Sequence, residues 1–507
     1  MKSDSLFWGG HWPRGTTLSK RAFCSVIICI ALLSFFLHLQ HLVSNYRTQV
    51  ATNAEPIWMR GFDAESYWHM SESLRNGQPL MNVFRDRPVV PILFNCAYAI
   101  RNNPMDFLCF LQIFHGIMPC VLAALTVVLF KNRWCGLLAA GAYIVYIPAY
   151  EASQVLNSDF IHACLLAMAL LALLLYLRTY RWRYISLTVG LWGVTVFSRP
   201  TFMLIGLLLL PALIMYWRLE RMPFSKWVAC VLPLLIIPVI MAVDNWRTFG
   251  VFTYSLNAME NVHTIFIPSI HTTNKMPYSN KGYSLIRLEE REMNAKLFPP
   301  YRALKMWSNE RPASHEERRL FKNNIKQISR YDRDVIRKNP ATAWRVIWRG
   351  AEWMLFSHKG LLPHSIKENV SWQIFNITQT LALTALVALA VWYRQLGPFY
   401  LLGSVMAVIC LTSSPFYWTP LRFMMPIHFI LLALLSGILS RPSLVALGIG
   451  TLLFRKALNL FIPNNQLLCL MITVAGAFVL LSLHMYYRQR QSDRYAHPIK
   501  GCRFPQF

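Results

Sequence analysis

Five short segments hold the residue types from which a reaction could be built. The first, Gly61-Phe62-Asp63-Ala64-Glu65-Ser66-Tyr67-Trp68, puts a carboxylate four residues before a tyrosine, on one helical face. Asp63 there is either a general base or a helix N-cap whose carboxylate bonds backbone N–H groups. The second, Leu156-Asn157-Ser158-Asp159-Phe160, sets Asp159 at the entrance of an apolar run, where it either caps the helix or binds an acceptor or a cation. The third, Phe197-Ser198-Arg199-Pro200-Thr201, separates two apolar half-length helices. Arg199 either snorkels to the surface or grips a lipid phosphate, for which a guanidinium fork is well shaped. The fourth, Asp244-Asn245-Trp246-Arg247-Thr248-Phe249-Gly250, leaves an apolar run. The fifth, Pro420-Leu421-Arg422-Phe423-Met424-Met425-Pro426, opens one; Arg422 is a phosphate clamp or a topological anchor. Other chemistries lack a signature: there is no GxxxxGK[ST], HExxH or GxGxxG. His69, His263 and His271 have no ligand spacing, so no metal site is assigned.

What must position these residues is a membrane bundle. Of 507 residues, 55% are hydrophobic and 14% charged, and mean hydropathy is +0.36. A soluble chain carries about a quarter charged residues. Runs such as Ala22–Val43, Met105–Phe130 and Leu467–Tyr486 approach the roughly 20 residues that cross hydrocarbon, and in lipid they must be helical. The expected fold is an all-α polytopic membrane protein of about twelve spans. Its remaining spans are expected near Trp134–Tyr150, Phe160–Leu177, Tyr184–Phe197, Thr201–Trp217, Trp227–Val243, Ile374–Tyr393, Phe399–Leu411, Phe423–Leu439 and Leu444–Phe454, the last the weakest. Ala22–Val43 is too long for a signal-peptide core and reads as a retained first span.

Short loops rich in Lys and Arg (Lys20-Arg21, Lys131 with Arg133, Arg178 to Arg183, Arg218 to Lys226) fall on one side with the tail, which puts both termini in the cytoplasm. Two hydrophilic segments then lie outside: a first loop, residues 44–88, and a long one, 244–372. They divide the chain into an N-terminal membrane module (1–243), the long loop, and a C-terminal membrane module (373–507). Asn76-Gly77 should end the helix of the first loop, and the Pro88…Pro91 pair should begin an extended return to the membrane. In the long loop, Ser314–Arg337 and Ala341–Phe356 have helical periodicity suited to interfacial helices. The excess of 50 Lys and Arg over 23 Asp and Glu serves orientation, anionic membrane lipids or an anionic substrate; with so much apolar sequence, nucleic acid is excluded as the partner. The 11 cysteines sit mostly inside spans, without a CxxC pair, and read as core residues. Two sequons, at Asn369 and Asn376, stand at the edge of a span and read as poor acceptors.

Taken in order, the Asp-x-x-x-Tyr loop, the Pro-bracketed return, the Pro…Ser-Asp segment, the Arg-Pro-Thr break, the Asn-x-x-x-x-Gly exit and the late Leu-Arg-Phe-x-x-Pro resemble the GT-C glycosyltransferase superfamily, in particular its protein O-mannosyltransferase and lipid A aminoarabinose transferase branch. The likeness runs through about Leu439. It implies an extracytoplasmic loop region over the bundle and a polyprenyl-phosphate sugar donor in the groove between them. The acceptor is a hydroxyl of a lipid, glycan or protein. By resemblance Asp63 is the catalytic acid residue, and Asp159, with Glu65 and Tyr67, makes an acceptor or cation site. Arg199, Arg422, Arg85 and Arg87 meet the donor phosphate. Family members often carry two adjacent acids; here Ala64 separates Asp63 from Glu65, which weakens the case for a divalent cation without removing it. One displacement at the sugar carbon implies inversion. The expected setting is a bacterial inner membrane. A flippase of lipid-linked sugars and a lipid-linked polysaccharide ligase or polymerase are the competing readings.

Overall fold

The computed structural model describes residues 18–52, 64–77, 89–156, 158–179, 181–198, 223–253, 262–272, 314–356, 368–393, 395–413, 420–440, 442–462 and 466–496, with a few isolated positions between them. The described residues form helices and their connections. In chain order the helices are α1 (Lys20–Thr52), α2 (Ala64–Arg75), α3 (Val89–Arg101), α4 (Pro104–Phe130), α5 (Arg133–Ile144), α6 (Ile147–Ser153), α7 (Asp159–Thr179), α8 (Trp182–Ser198) and α9 (Phe224–Phe249). After a π-helical turn (Val262–Phe266) come α10 (Ile267–Thr272), α11 (His315–Lys338), α12 (Pro340–Phe356), α13 (Glu368–Val391), α14 (Leu396–Ser413), α15 (Pro420–Ile438), α16 (Pro442–Phe461) and α17 (Gln466–Ala496).

Among the described residues five helices are long and apolar enough to cross a membrane: α1, α4, α7, α9 and Ser443–Phe461 of α16. The pair α5 and α6, bent by 51°, makes a sixth if counted as one span. This is a multi-pass membrane protein. The expectation of about twelve spans exceeds that count. Four expected spans appear as shorter apolar helices (Asn376–Val391, Leu396–Cys410, Met425–Ile438, Leu468–Leu483), and of Thr201–Trp217 only Ile214 and Trp217 are described. Conversely, α16, the weakest span in the sequence, qualifies. Lipid explains faces that water would not tolerate: Ile28, Leu32 and Phe36 on α1, and Val239 and Ile240 on α9, are exposed. The described cysteines are free thiols.

Local signals account for most boundaries. Asn103 caps α4 by accepting from the Met105 N–H, with Pro104 at the first position. Asn132 caps α5 through Trp134 and Cys135. Gly77, at φ +77°, closes α2 as Asn76-Gly77 predicts, and Gly250, at φ +71°, closes α9. One expectation fails. The stretch after Pro88 is not extended but forms α3, because Pro91 sits in the first turn, where its missing N–H costs no hydrogen bond.

Two of the apolar clusters surround the start of α7. One joins Ala64, Tyr67 and Met70 of α2 to Val90 and Phe94 of α3, Phe107, Leu108 and Leu111 of α4, and Leu156, Ile161 and Leu165 around the start of α7. The other joins Tyr143, Tyr146 and Ala149 of the bent pair to Phe160 and Ala163 of α7 and to Met425 and Phe429 of α15. α2 is therefore packed onto the bundle. Arg75 clamps it: its Nη1 donates to Asn95 Oδ1 (3.2 Å), its guanidinium lies 4.5 Å from the Tyr98 ring centre and 5.3 Å from that of Trp68, and Asn95 Nδ2 donates to the Ser71 carbonyl (3.0 Å).

The helices of the long segment appear where periodicity places them, with Ser314 capping α11 through the Glu317 N–H. The interfacial reading of α11 is corrected. Its apolar side (Phe321, Ile325, Ile328, Val335) is covered by protein: Phe249 of α9, Leu256, and residues of the π turn, α10 and α12.

Candidate functional site

The candidate site lies around the start of α7, which packs against α6 and α15 and shares a buried cluster with α2. Asp159 opens α7 and is 1% exposed. One turn later His162, fully buried, has Nδ1 3.1 Å from the Ser158 carbonyl. Leu156 and Ile161, which bracket Asp159, share a cluster with Ala64, the first residue of α2. Phe160 shares the other cluster with Met425, one turn into α15 from Arg422. Both α7 and α15 present their N-termini here, ends that carry partial positive charge and free N–H groups.

Beneath Asp159 runs a hydrogen-bond chain with a defined direction. Ser153 Oγ donates to the Tyr150 carbonyl (2.8 Å) and so must accept from His115 Nε2–H (2.9 Å). That tautomer leaves Nδ1 of His115 to accept from the Tyr143 hydroxyl (2.8 Å). His38 of α1 stacks on the His115 ring at 3.8 Å. Asn45 bridges from α1 to the Tyr150 hydroxyl (2.7 Å) and to Gln154 Oε1 (2.9 Å), while the Tyr146 hydroxyl meets His428 Nδ1 of α15 (2.6 Å). Together these bonds hold α6, the bent segment, against α1, α4, α5 and α15.

Of the residues singled out in sequence, Asp63, Arg85, Arg87 and Arg199 lie outside the described residues, and of Arg422 the backbone alone is described. Asp159 is buried at the first position of α7. Glu65 and Tyr67, two residues apart on α2, face different ways: Glu65 is exposed beside His69, whose Nε2 is 3.7 Å away, whereas Tyr67 is 1% exposed within the core. Among the described residues no group of three His, Cys, Asp or Glu could hold a metal ion.

Sequence reasoning missed Arg75, the His38–His115 stack and Arg455. Arg455, 3% exposed on α16, donates from Nη1 to the Asn376 carbonyl (3.2 Å) and to the Thr380 hydroxyl, and from Nη2 to Asn376 Oδ1 (2.8 Å). A charge inside an apolar helix was its available signal. This contact also explains the Asn376 sequon, whose Nδ2 is buried while its amide oxygen is held. In the long segment His263 Nδ1 lies 2.8 Å from Asp332 Oδ1, joining the π turn to α11; burial pushes the Asp332 carboxyl above its ordinary value, and the His263 contact offsets part of that rise.

No protein-family model matches the chain, and no curated protein matches it. Several solved structures are similar to it, two of them archaeal oligosaccharyltransferase structures. The oligosaccharyltransferase of Archaeoglobus fulgidus in the apo form is 13% identical, with 92% of this chain and 56% of that one covered, at a TM-score of 0.49. Archaeal oligosaccharyltransferase AglB from the same organism, in complex with an inhibitory peptide and a dolichol-phosphate, is 12% identical, with 93% and 56% covered, at 0.46. The chain thus spans little more than half the length of either protein.

Proposed function

We propose that this chain is a membrane glycosyltransferase of the GT-C type, which moves a sugar from a polyprenyl-phosphate donor to a hydroxyl acceptor on the extracytoplasmic face. One observation carries the reading. The segment bracketing Asp159 shares one buried cluster with Ala64, next to Asp63, and another with Met425, three residues beyond Arg422, although these residues are far apart in sequence. Carboxylates and a guanidinium are what the transfer requires. Asp63 takes the proton of the acceptor hydroxyl as its oxygen bonds to the anomeric carbon, worth about 10² to 10⁴ in rate. The bond from that carbon to the phosphate oxygen breaks on the opposite face, so configuration inverts. The leaving polyprenyl phosphate needs no proton if its charge is met by Arg422, Arg199, Arg85 and Arg87 and by the N-termini of α7 and α15. Asp159, with Glu65 and Tyr67 on α2, serves the acceptor side; Glu65 faces solvent, and Tyr67 holds α2 in place from the core. The setting proposed is a bacterial inner membrane with about twelve spans and both termini cytoplasmic.

Transfer from a panel of labelled polyprenyl-phosphate sugars by protein in nanodiscs tests this, with D63N and D159N beside wild type. Loss of about 10²-fold or more in D63N, with normal folding, is expected. Equal turnover in D63N removes the base, and no turnover with any donor removes the enzyme. Adding a chelator in parallel decides cation dependence. The bent pair α5 and α6 favours one second reading, a flippase of lipid-linked sugars. Counterflow of such lipids in proteoliposomes, without sugar transfer, would establish it.

A further inference from the structure

The outward side of α11 bears a feature that sugar transfer alone does not use. Arg319, Lys322, Lys326, Arg330, Arg333 and Arg337 follow one another at intervals of three or four residues, and all six are exposed. At about 100° per residue they fall within an arc of about 80° and extend about 27 Å along the helix. None of the helix's acidic residues (Glu316, Glu317, Asp332, Asp334) falls in that arc. Cations at these intervals repel one another and weaken the helix that carries them. Glu316 and Asp334 border the arc, three or four residues from Arg319, Arg330 and Arg337, whereas Lys322, Lys326 and Arg333 have no acidic residue at that spacing on the helix. The opposite side of α11 is occupied by Phe249, Leu256 and the π turn, α10 and α12, and α12 in turn rests on bundle helices α13, α14, α15 and α17. With its apolar side committed to protein, α11 is not inserted in the bilayer surface as a basic amphipathic helix would be. The cationic row looks away from the core that seats it.

We infer that this row docks an extended polyanionic glycan, a chain with an acidic group on each repeat, approaching from the aqueous side. Charge complementarity commits the surface to that partner: a straight row of point charges about one helical turn apart matches a linear polyanion lying along the helix axis, and guanidinium forks suit carboxylate, sulfate and phosphate alike. That the docked chain is the sugar acceptor rests on the glycosyltransferase reading; the docking does not, and the experiment reads docking alone.

Full-length protein in neutral phosphatidylcholine nanodiscs is titrated with fluorescein-labelled heparin at several salt concentrations. The triple variant K326Q/R330Q/R333Q should bind more weakly, and the slope of log affinity against log salt should fall by about 2, at about 0.7 for each charge removed from a single-stranded polyanion's site. The charge-keeping K326R/R330K/R333K should retain the wild-type slope, which guards against a folding defect in the Gln variant. R181Q/R183Q, at the start of α8, should bind as wild type does. An unchanged slope in the Gln triple, or an equal loss in R181Q/R183Q, overturns the proposal. So does displacement of heparin by phosphatidylglycerol vesicles that itself needs the three cations, since the row would then belong to lipid.

Discussion

Replacing Arg75 by alanine should loosen the first loop from the bundle without disturbing the bundle. The guanidinium donates to Asn95 at 3.2 Å and lies over the rings of Tyr98, Trp68 and Phe94 at 4.5, 5.3 and 5.8 Å. Because Arg75 is exposed, each contribution takes its solvent-screened value: about 0.5–1 kcal/mol for the ring contacts together and about 0.5–1 kcal/mol for the hydrogen bond. A total of about 1–2 kcal/mol corresponds to a rise of roughly 5- to 30-fold in the open population of α2, at about 1.4 kcal/mol per factor of ten. Hydrogen–deuterium exchange of backbone amides in 64–75 reads that population, with α7 as an internal control. R75A should speed exchange in α2 by that factor and leave α7 unchanged, while R75K, which keeps the charge but not the fork, should fall between. Sugar transfer should drop with α2 opening, since Ala64, next to Asp63, is placed by the same packing. Wild-type exchange in R75A would refute the clamp; equal acceleration in α7 would show a global loss instead.

Gly437 on α15 faces Phe130 of α4 so closely that a Cβ there would overlap the ring. G437A should cost about 1–3 kcal/mol in detergent unfolding, and F130L should relieve most of that cost; additive losses would disprove the contact. S153A leaves His115 Nε2–H without the acceptor that fixes its tautomer and should cost about 1–3 kcal/mol, read as a drop in melting temperature. Burial raises the Asp332 carboxyl, so the stability it contributes is complete below the ordinary carboxylate value and is lost as pH climbs through the raised one. D332N cannot ionise, so its melting temperature should gain on wild type with rising pH between about 4 and 7; parallel curves would refute this. In a eukaryotic secretory membrane N376Q should leave the glycosylation pattern of the wild type unchanged, because Asn376 is held by Arg455; a lost gel shift would contradict the contact.

What was legible in the sequence is what depends on neighbours along the chain. Apolar length identified α1, α4, α7 and α9, because lipid requires each segment to satisfy its own backbone. Turn chemistry placed the end of α2, since a glycine at positive φ acts within one turn, whereas α9 runs on past the expected end at Val243 to its cap at Gly250. Asp159 stood out for the same reason, as a lone carboxylate beside hydrocarbon. Where the sequence misled, the deciding forces came from elsewhere in the fold. Pro91 reads equally as the start of an extended run or as a residue of a helix's first turn, and packing of Val90 and Phe94 against α2 and α4 selects the helix. The apolar side of α11 looks the same whether lipid or protein covers it, and only Phe249, Leu256 and α12 show that it is protein. The links from Arg75 to Asn95, His115 to Ser153, His263 to Asp332 and Arg455 to Asn376 join residues 20 to 79 positions apart. No local periodicity encodes them, because a side-chain hydrogen bond depends on distance in space, and that distance is set only when the helices have packed.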